Sequence, residues 1–316
     1  MSRETGEKIV NSKRMKIKYT ITVNADAVPA GEVIRCWLPF PKSEFERQKD
    51  IKLISVNDDD YIIADNDLPQ RTLYIEKTAK VNEPTVFQME LEYSSYSEWH
   101  NVNPEKVKLY NVNSKEFKEF TGERPPHIVF TSRIKTLSDK IVGNEKNPYK
   151  KVLKIYEWVN TNIPWASARE YSTIENISDY CLENMHGDCG IKTLLFITLA
   201  RYNGIPARWQ SGWMMHPGSL NLHDWSEIYL EGYGWIPVDQ DYGLQNSVDP
   251  DVKYFYTNGI DSYRFIVNSD YAQPLFPEKK YPRSETQDFQ RGEVEWSGGN
   301  LYFDKWSYHM EVEYLK

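Results

Sequence analysis

The sequence predicts an α+β protein, with helices packed on an antiparallel sheet behind an N-terminal β-sandwich, and the changes of hydrophobic period along the chain carry that expectation. Apolar residues alternate at period two from Lys16 to about Tyr96, recur at helical spacing from Ile134 to Asn203, and alternate again from Arg208 onward. A length of 316 residues exceeds what one ordinary core organises, so two or three packed units are expected. With 40% apolar and 27% charged residues, the composition is that of a globular protein.

In the first segment Ile17, Tyr19, Ile21 and Val23 face one way, and the runs Val33 to Leu38, Lys52 to Val56, Thr72 to Ile75 and Thr85 to Tyr93 follow. Asn, Asp, Pro and Gly clusters separate them, the signature of an antiparallel sandwich. Residues 97–126 are polar and mixed. The Arg124-Pro125-Pro126 step reads as a linker, since each proline pushes its predecessor out of helical space. The expected domains are therefore residues 1–126, sandwich plus linker, and residues 127–316, a helical and sheet domain ending in a C-terminal hairpin extension.

Beyond the linker Ile134, Leu137 and Ile141 form one helical stripe closed by Gly143, and Asn147-Pro148 reads as N-cap and first helical residue. A third helix is expected from Cys189 to Asn203, with Ile191, Leu194, Leu195, Thr198, Leu199 and Tyr202 on a single face and Gly204 as its stop. Strands follow at Arg208 to Met214, His223 to Leu230 and Trp235 to Asp239, with His216 in a loop before the second. Around Ser297-Gly298-Gly299-Asn300 the tail reads as a hairpin.

Lys and Arg number 38 against 46 Asp and Glu, a formal charge of −8, which repels a phosphate backbone and argues against nucleic acid as a partner. Three cysteines, Cys36, Cys181 and Cys189, cannot form a disulfide framework. No cofactor motif is found and no metal is expected. His186, Cys181, Cys189 and His223 have the wrong spacings for structural zinc, and Asp239, Asp241, Asp249 and Asp251 form no EF-hand loop. Met1 to Lys16 is polar and no run of 18 apolar residues occurs, so no transmembrane segment is expected. As written the chain reads as cytoplasmic, while removal of a leader would make an extracytoplasmic setting equally consistent.

Cys189 stands in His186-Gly187-Asp188-Cys189-Gly190 at the first turn of the third helix. The helix dipole and unpaired N–H groups there favour a thiolate, and the same N–H groups, that of Gly190 included, can hold an oxyanion. His223 opens a strand whose neighbour ends at Asp239. A three-residue loop, Glu231 to Tyr233, would make those two diagonal neighbours on one face, roughly 5–8 Å apart. Nucleophile, base and orienting carboxylate are then all present.

Gly187-Asp188-Cys189-Gly190, the helix end Arg201 to Arg208, His223-Asp224-Trp225-Ser226-Glu227 and Gly232 to Asp239, in that order, resemble the transglutaminase-like core over about Ser132 to Tyr242. The resemblance implies a papain-like fold and an acyl-enzyme mechanism, with Cys189 as nucleophile, His223 as general base and acid, and Asp239 as orienting carboxylate. It also makes Trp165 a candidate oxyanion side chain. Relatives commonly carry a small residue where this chain has Asp224, whose charge would suit either a cationic substrate group or plain exposure, and which is read here as facing solvent. The implied activity is thiol-dependent acyl transfer on amide bonds of a peptide, protein or peptidoglycan stem, hydrolysis being favoured over crosslinking. The alternative is a catalytically idle module that grips glycan or peptide through Trp209, Trp213 and Trp225.

Overall fold

The computed structural model describes residues 1–315, and the chain divides into two compact units. One gathers Asn11–Tyr96, Ser211–Leu222 and the stretch from Ser262 onward; the other gathers Met1–Val10, Ser97–Gln210 and His223–Asp261.

The first of these is the β unit. Strands β1 (Ile9–Val23), β2 (Val33–Pro39), β3 (Gln48–Val56), β4 (Tyr61–Ile63), β5 (Thr72–Thr78) and β6 (Thr85–Trp99) follow the sequence alternation, with Met15, Ile17, Tyr19, Ile21 and Val23 all buried. One antiparallel sheet runs β14 (Trp306–Leu315), β1, β6, with β3 also paired to β6; the other runs β13 (Gly299–Leu301), β12 (Glu293–Trp296), β2, β5, β4. Their shared core is aromatic: Trp213 stacks on Phe265 with centroids 4.6 Å apart and on Tyr19 at 4.7 Å.

The C-terminal tail corrects the expected domain plan. The β12–β13 hairpin forms around Ser297 and Gly298, but β12 pairs with β2, and β14 lies against β1 from Arg14↔Leu315 to Val23↔Trp306. The tail belongs to the same compact unit as Asn11–Tyr96 and not to the helical one. Residues 97–126 are likewise no linker and belong to the helical unit, where the Tyr110 hydroxyl donates to the Tyr229 carbonyl at 2.8 Å.

The helical unit holds α1 (Ser2–Thr5), α2 (Lys115–Phe120), α3 (Ser132–Val142), α4 (Pro148–Asn162), α5 (Ile177–Asn184), α6 (Cys189–Tyr202), α7 (Pro250–Lys253) and α8 (Phe255–Asn258). Asn147 caps α4 by accepting the Lys150 N–H at 3.1 Å, ahead of Pro148. Asn176 caps α5, a helix the periodicity missed because it has only eight residues. Helix α6 departs from the one-faced expectation: every residue from Gly190 to Arg201 is buried, and it packs against α3, α4 and α5.

Strands β7 (Ala207–His216), β8 (Ser219–Leu230) and β9 (Gly234–Val238) join β11 (Arg264–Asn268) in the order β11-β7-β8-β9, and β10 (Gly259–Ile260) pairs with the Glu98–Trp99 end of β6. His216 ends β7 and lies in no loop, because Pro217 and Gly218 make a two-residue turn with Gly218 at φ +78°.

Two consequences are measurable. His127, 3% exposed, accepts the Ile177 N–H at 3.2 Å, and burial, aided by Arg124, pushes its pKa down to about 4. A histidine folded in neutral form stabilises fully above the unfolded value near 6.5 and loses that contribution as pH falls toward 4, up to about 3 kcal/mol. Urea midpoints at pH 7, 5 and 4 should fall in that window for the wild type and fall less for His127→Asn. Deleting residues 306–315 removes the β1 partner strand and the buried Trp306, so the thermal midpoint is expected to drop by several degrees or cooperative unfolding to vanish.

Candidate active site

Asp188 sets the start of α6. Its Oδ1 accepts the Ile191 N–H at 3.0 Å, an N-cap that leaves Cys189 as the first helical residue. The same oxygen accepts the Tyr171 hydroxyl at 2.7 Å, bringing Tyr171 over the helix start. Cys189 is part-exposed, whereas Cys36 and Cys181 are buried; burial pushes the Cys181 thiol up to about 12.

The Cys189 Sγ donates to Asp224 Oδ2 at 3.3 Å. Burial first, and then the carboxylates of Asp224, Asp188 and Asp241, push this thiol well above its ordinary range. These carboxylates act against the lowering expected from the helix start. Asp224 itself is 1% exposed, against the expectation of a solvent-facing side chain. The central strand β8 is buried without interruption from His223 to Ile228, so neither of its faces is free for a charged residue to escape to water.

His223 and Asp239 meet as the strand spacing requires. The β8–β9 register runs from Ser226↔Val238 to Leu230↔Gly234, which leaves the three-residue loop Glu231 to Tyr233 and sets Asp239 diagonal to His223. His223 Nε2 and Asp239 Oδ2 are 2.7 Å apart, in a pair 2% and 0% exposed. Asp239 Oδ1 accepts the backbone N–H groups of Asp241 and Tyr242 at 3.2 and 3.4 Å, and the Tyr156 hydroxyl holds the Asp239 carbonyl at 2.9 Å. Trp225 and Tyr242 flank the imidazole at 5.8 and 5.5 Å.

Further pairs tie α6 to the strands. Lys192 Nζ meets Asp241 Oδ1 at 2.8 Å, and Gln240 bridges Thr193 to Ser226 by hydrogen bonds. Asp249 and Asp251 are held by Arg3 at 2.7 and 2.9 Å. Trp165 is 56% exposed and its backbone lies parallel to Gly187, two residues before Cys189, with Ala166 N–H donating to the Gly187 carbonyl at 3.1 Å. Trp225 is fully buried and donates to Gln210 Oε1 at 2.7 Å, so it offers no surface to a substrate. Trp209 and Trp213 are buried as well, which removes the aromatic grip assumed for the idle module.

Residues 135–240 match the transglutaminase-like superfamily. This segment is a transglutaminase-like core. An uncharacterised protein of Haemophilus influenzae is 28% identical to the chain, with 70% of this chain and 68% of that one covered. The uncharacterised YebA of Bacillus subtilis is 26% identical over 36% of this chain and 18% of its own length. Among solved structures, a Cytophaga hutchinsonii protein named as a candidate cysteine protease superposes with a TM-score of 0.61 at 17% identity, covering 98% of this chain and 92% of that one, a likeness of fold. Sequence reading missed Tyr171, Lys192, Gln240 and the Asp188 cap, of which the cap alone carries a local signal, an Asp directly before a helix.

Gly190 is a sensitive point in this core. A Cβ there would lie 2.2 Å from the Tyr171 hydroxyl oxygen and 2.9 Å from Asp224 Oδ2. Gly190→Ala is expected to cost about 1–3 kcal/mol in denaturant unfolding, and adding Tyr171→Phe, which deletes the nearer atom, should recover part of it.

Proposed function

We propose that the protein is a cysteine hydrolase acting on amide bonds through an acyl-enzyme, with Cys189 as nucleophile, His223 as general base and acid, and Asp239 as the carboxylate that orients the imidazole. The observation that supports this reading is the 2.7 Å bond from His223 Nε2 to Asp239, which leaves Nδ1 as the nitrogen to which the reading assigns proton exchange with the sulfur. The thiol proton passes to Nδ1, the thiolate attacks the amide carbonyl, and the imidazolium then protonates the leaving amine. Water attacks the resulting thioester with His223 as base.

The oxyanion is assigned to the unpaired N–H groups at the first turn of α6, Gly190 among them, with exposed Trp165 beside the Gly187 strand as a wall for the acyl group. The transglutaminase-like core and a fold neighbour named as a candidate protease support a peptide or protein amide as the donor. Hydrolysis is favoured over crosslinking because water needs no dedicated site.

The test is a peptide and glutamine-amide panel read by mass spectrometry, with and without a biotinylated alkyl amine. A thioester adduct on the Cys189 peptide and free-acid products are expected. Cys189→Ala and His223→Ala should lose at least about 10³-fold in kcat/KM, and Asp239→Asn about 10²–10⁴-fold. Full activity in Cys189→Ala would defeat the assignment, and amine incorporation outrunning hydrolysis would turn it toward crosslinking.

A further inference from the structure

The carboxylate that touches the nucleophile's sulfur has no part in a Cys-His-Asp scheme. Asp224 follows His223 in β8, yet its Oδ2 accepts the Cys189 S–H at 3.3 Å and closes over Gly190. Tyr171, held by Asp188 Oδ1 at 2.7 Å, crowds the same side of the Gly190 Cα as Asp224 Oδ2. Asp224 is 1% exposed, and its Oδ2 meets the sulfur inside the protein.

We propose that Asp224 is a positioning residue for the nucleophile: its carboxylate holds the sulfur of the free protein as a hydrogen-bonded thiol in one rotamer until His223 takes the proton. The proposal rests on the reading of Cys189 as the nucleophile. The carboxylates around the sulfur all raise its pKa, while the Asp224 backbone hydrogen bond acts in the opposite sense. Asp188 caps the helix below it, Asp241 is partly offset by Lys192 at 2.8 Å, Asp239 is committed to His223, and Tyr171 is committed to Asp188. Asp224 is the carboxylate in contact with the thiol and, after burial, the largest influence raising its pKa.

The chemical consequence has two sides. A thiol kept protonated reacts slowly with stray electrophiles and oxidants, since the thiolate is the attacking form. Once the S–H bond breaks and the proton moves to His223 Nδ1, the sulfur left behind is a thiolate of high basicity, and intrinsic nucleophilicity rises with basicity. Asp224 then faces the new imidazolium's neighbour with its charge intact, and proton return to sulfur at the end of the cycle restores the starting hydrogen bond.

Alkylation by iodoacetamide across pH 5–10, read on the Cys189 peptide of the intact protein, tests this. Cys36 and Cys181 are buried and serve as internal controls. The wild-type midpoint is expected above the ordinary thiol value of about 8.5, and Asp224→Asn, which keeps the shape and removes the charge, should lower it by about one pH unit or more, with Asp224→Glu restoring part of the shift. An unchanged midpoint in a folded Asp224→Asn protein overturns the proposal, as does a wild-type midpoint below about 8.5, a result that needs no variant. Asp224→Ser provides the second charge-free variant if Asn does not fold. Activity retained in Cys189→Ala would instead strike the nucleophile assignment, so the two failures are distinguishable.

Discussion

Between Gly190 and Arg201 helix α6 has no side turned to water, and the arrangement of the candidate site follows from that enclosure. A helix packed by α3, α4 and α5 cannot rotate or slide without opening the core, so its first turn is fixed to the precision of interior packing. Asp188 defines where the helix begins, and one residue later the sulfur of Cys189 is delivered to a set position. Polar groups on such a helix must find partners, and Lys192, Thr193 and Arg201 do so in Asp241, Gln240 and the Ala207 carbonyl. Those same bonds bring the ends of β8 and β9 to the helix start.

Much of this was legible because it depends on local rules. The Asp-Cys-Gly step before an apolar run, the Asn147-Pro148 helix start and the Gly232-Tyr233-Gly234 turn each fix structure over a few residues, and the loop length alone set His223 diagonal to Asp239. Reading failed where burial depended on distant chain. Asp224 was read as facing solvent, as a charged side chain on a strand with one covered face would, and β8 is covered on both. The single apolar stripe assigned to α6 failed for the same reason, since Lys192, Thr193, Phe196, Ile197 and Arg201, all off that stripe, are buried as well. Trp209, Trp213 and Trp225 looked like a binding platform and are core, where each indole is enclosed by its own unit.

The electrostatics of the site run against the simplest picture of an activated thiol. A helix N-terminus contributes roughly half a positive charge, and one carboxylate at hydrogen-bond distance exceeds it. In this protein the side chains in contact with the sulfur act against the helix start, and His223 is fixed through Nε2 by Asp239.

The pairing of β14 with β1 has a consequence for how the chain acquires its structure. Arg14 and Leu315 are register partners, so strands made at the start of synthesis wait through some three hundred residues for their neighbour. Until then the β1 edge offers unpaired N–H and C=O groups, the template on which chains stick to one another. Contacts so far apart in sequence make for slow closure, and the interval favours association over completion. Yield on expression should therefore respond to temperature and chain concentration more steeply than the aromatic core of the finished β unit would suggest.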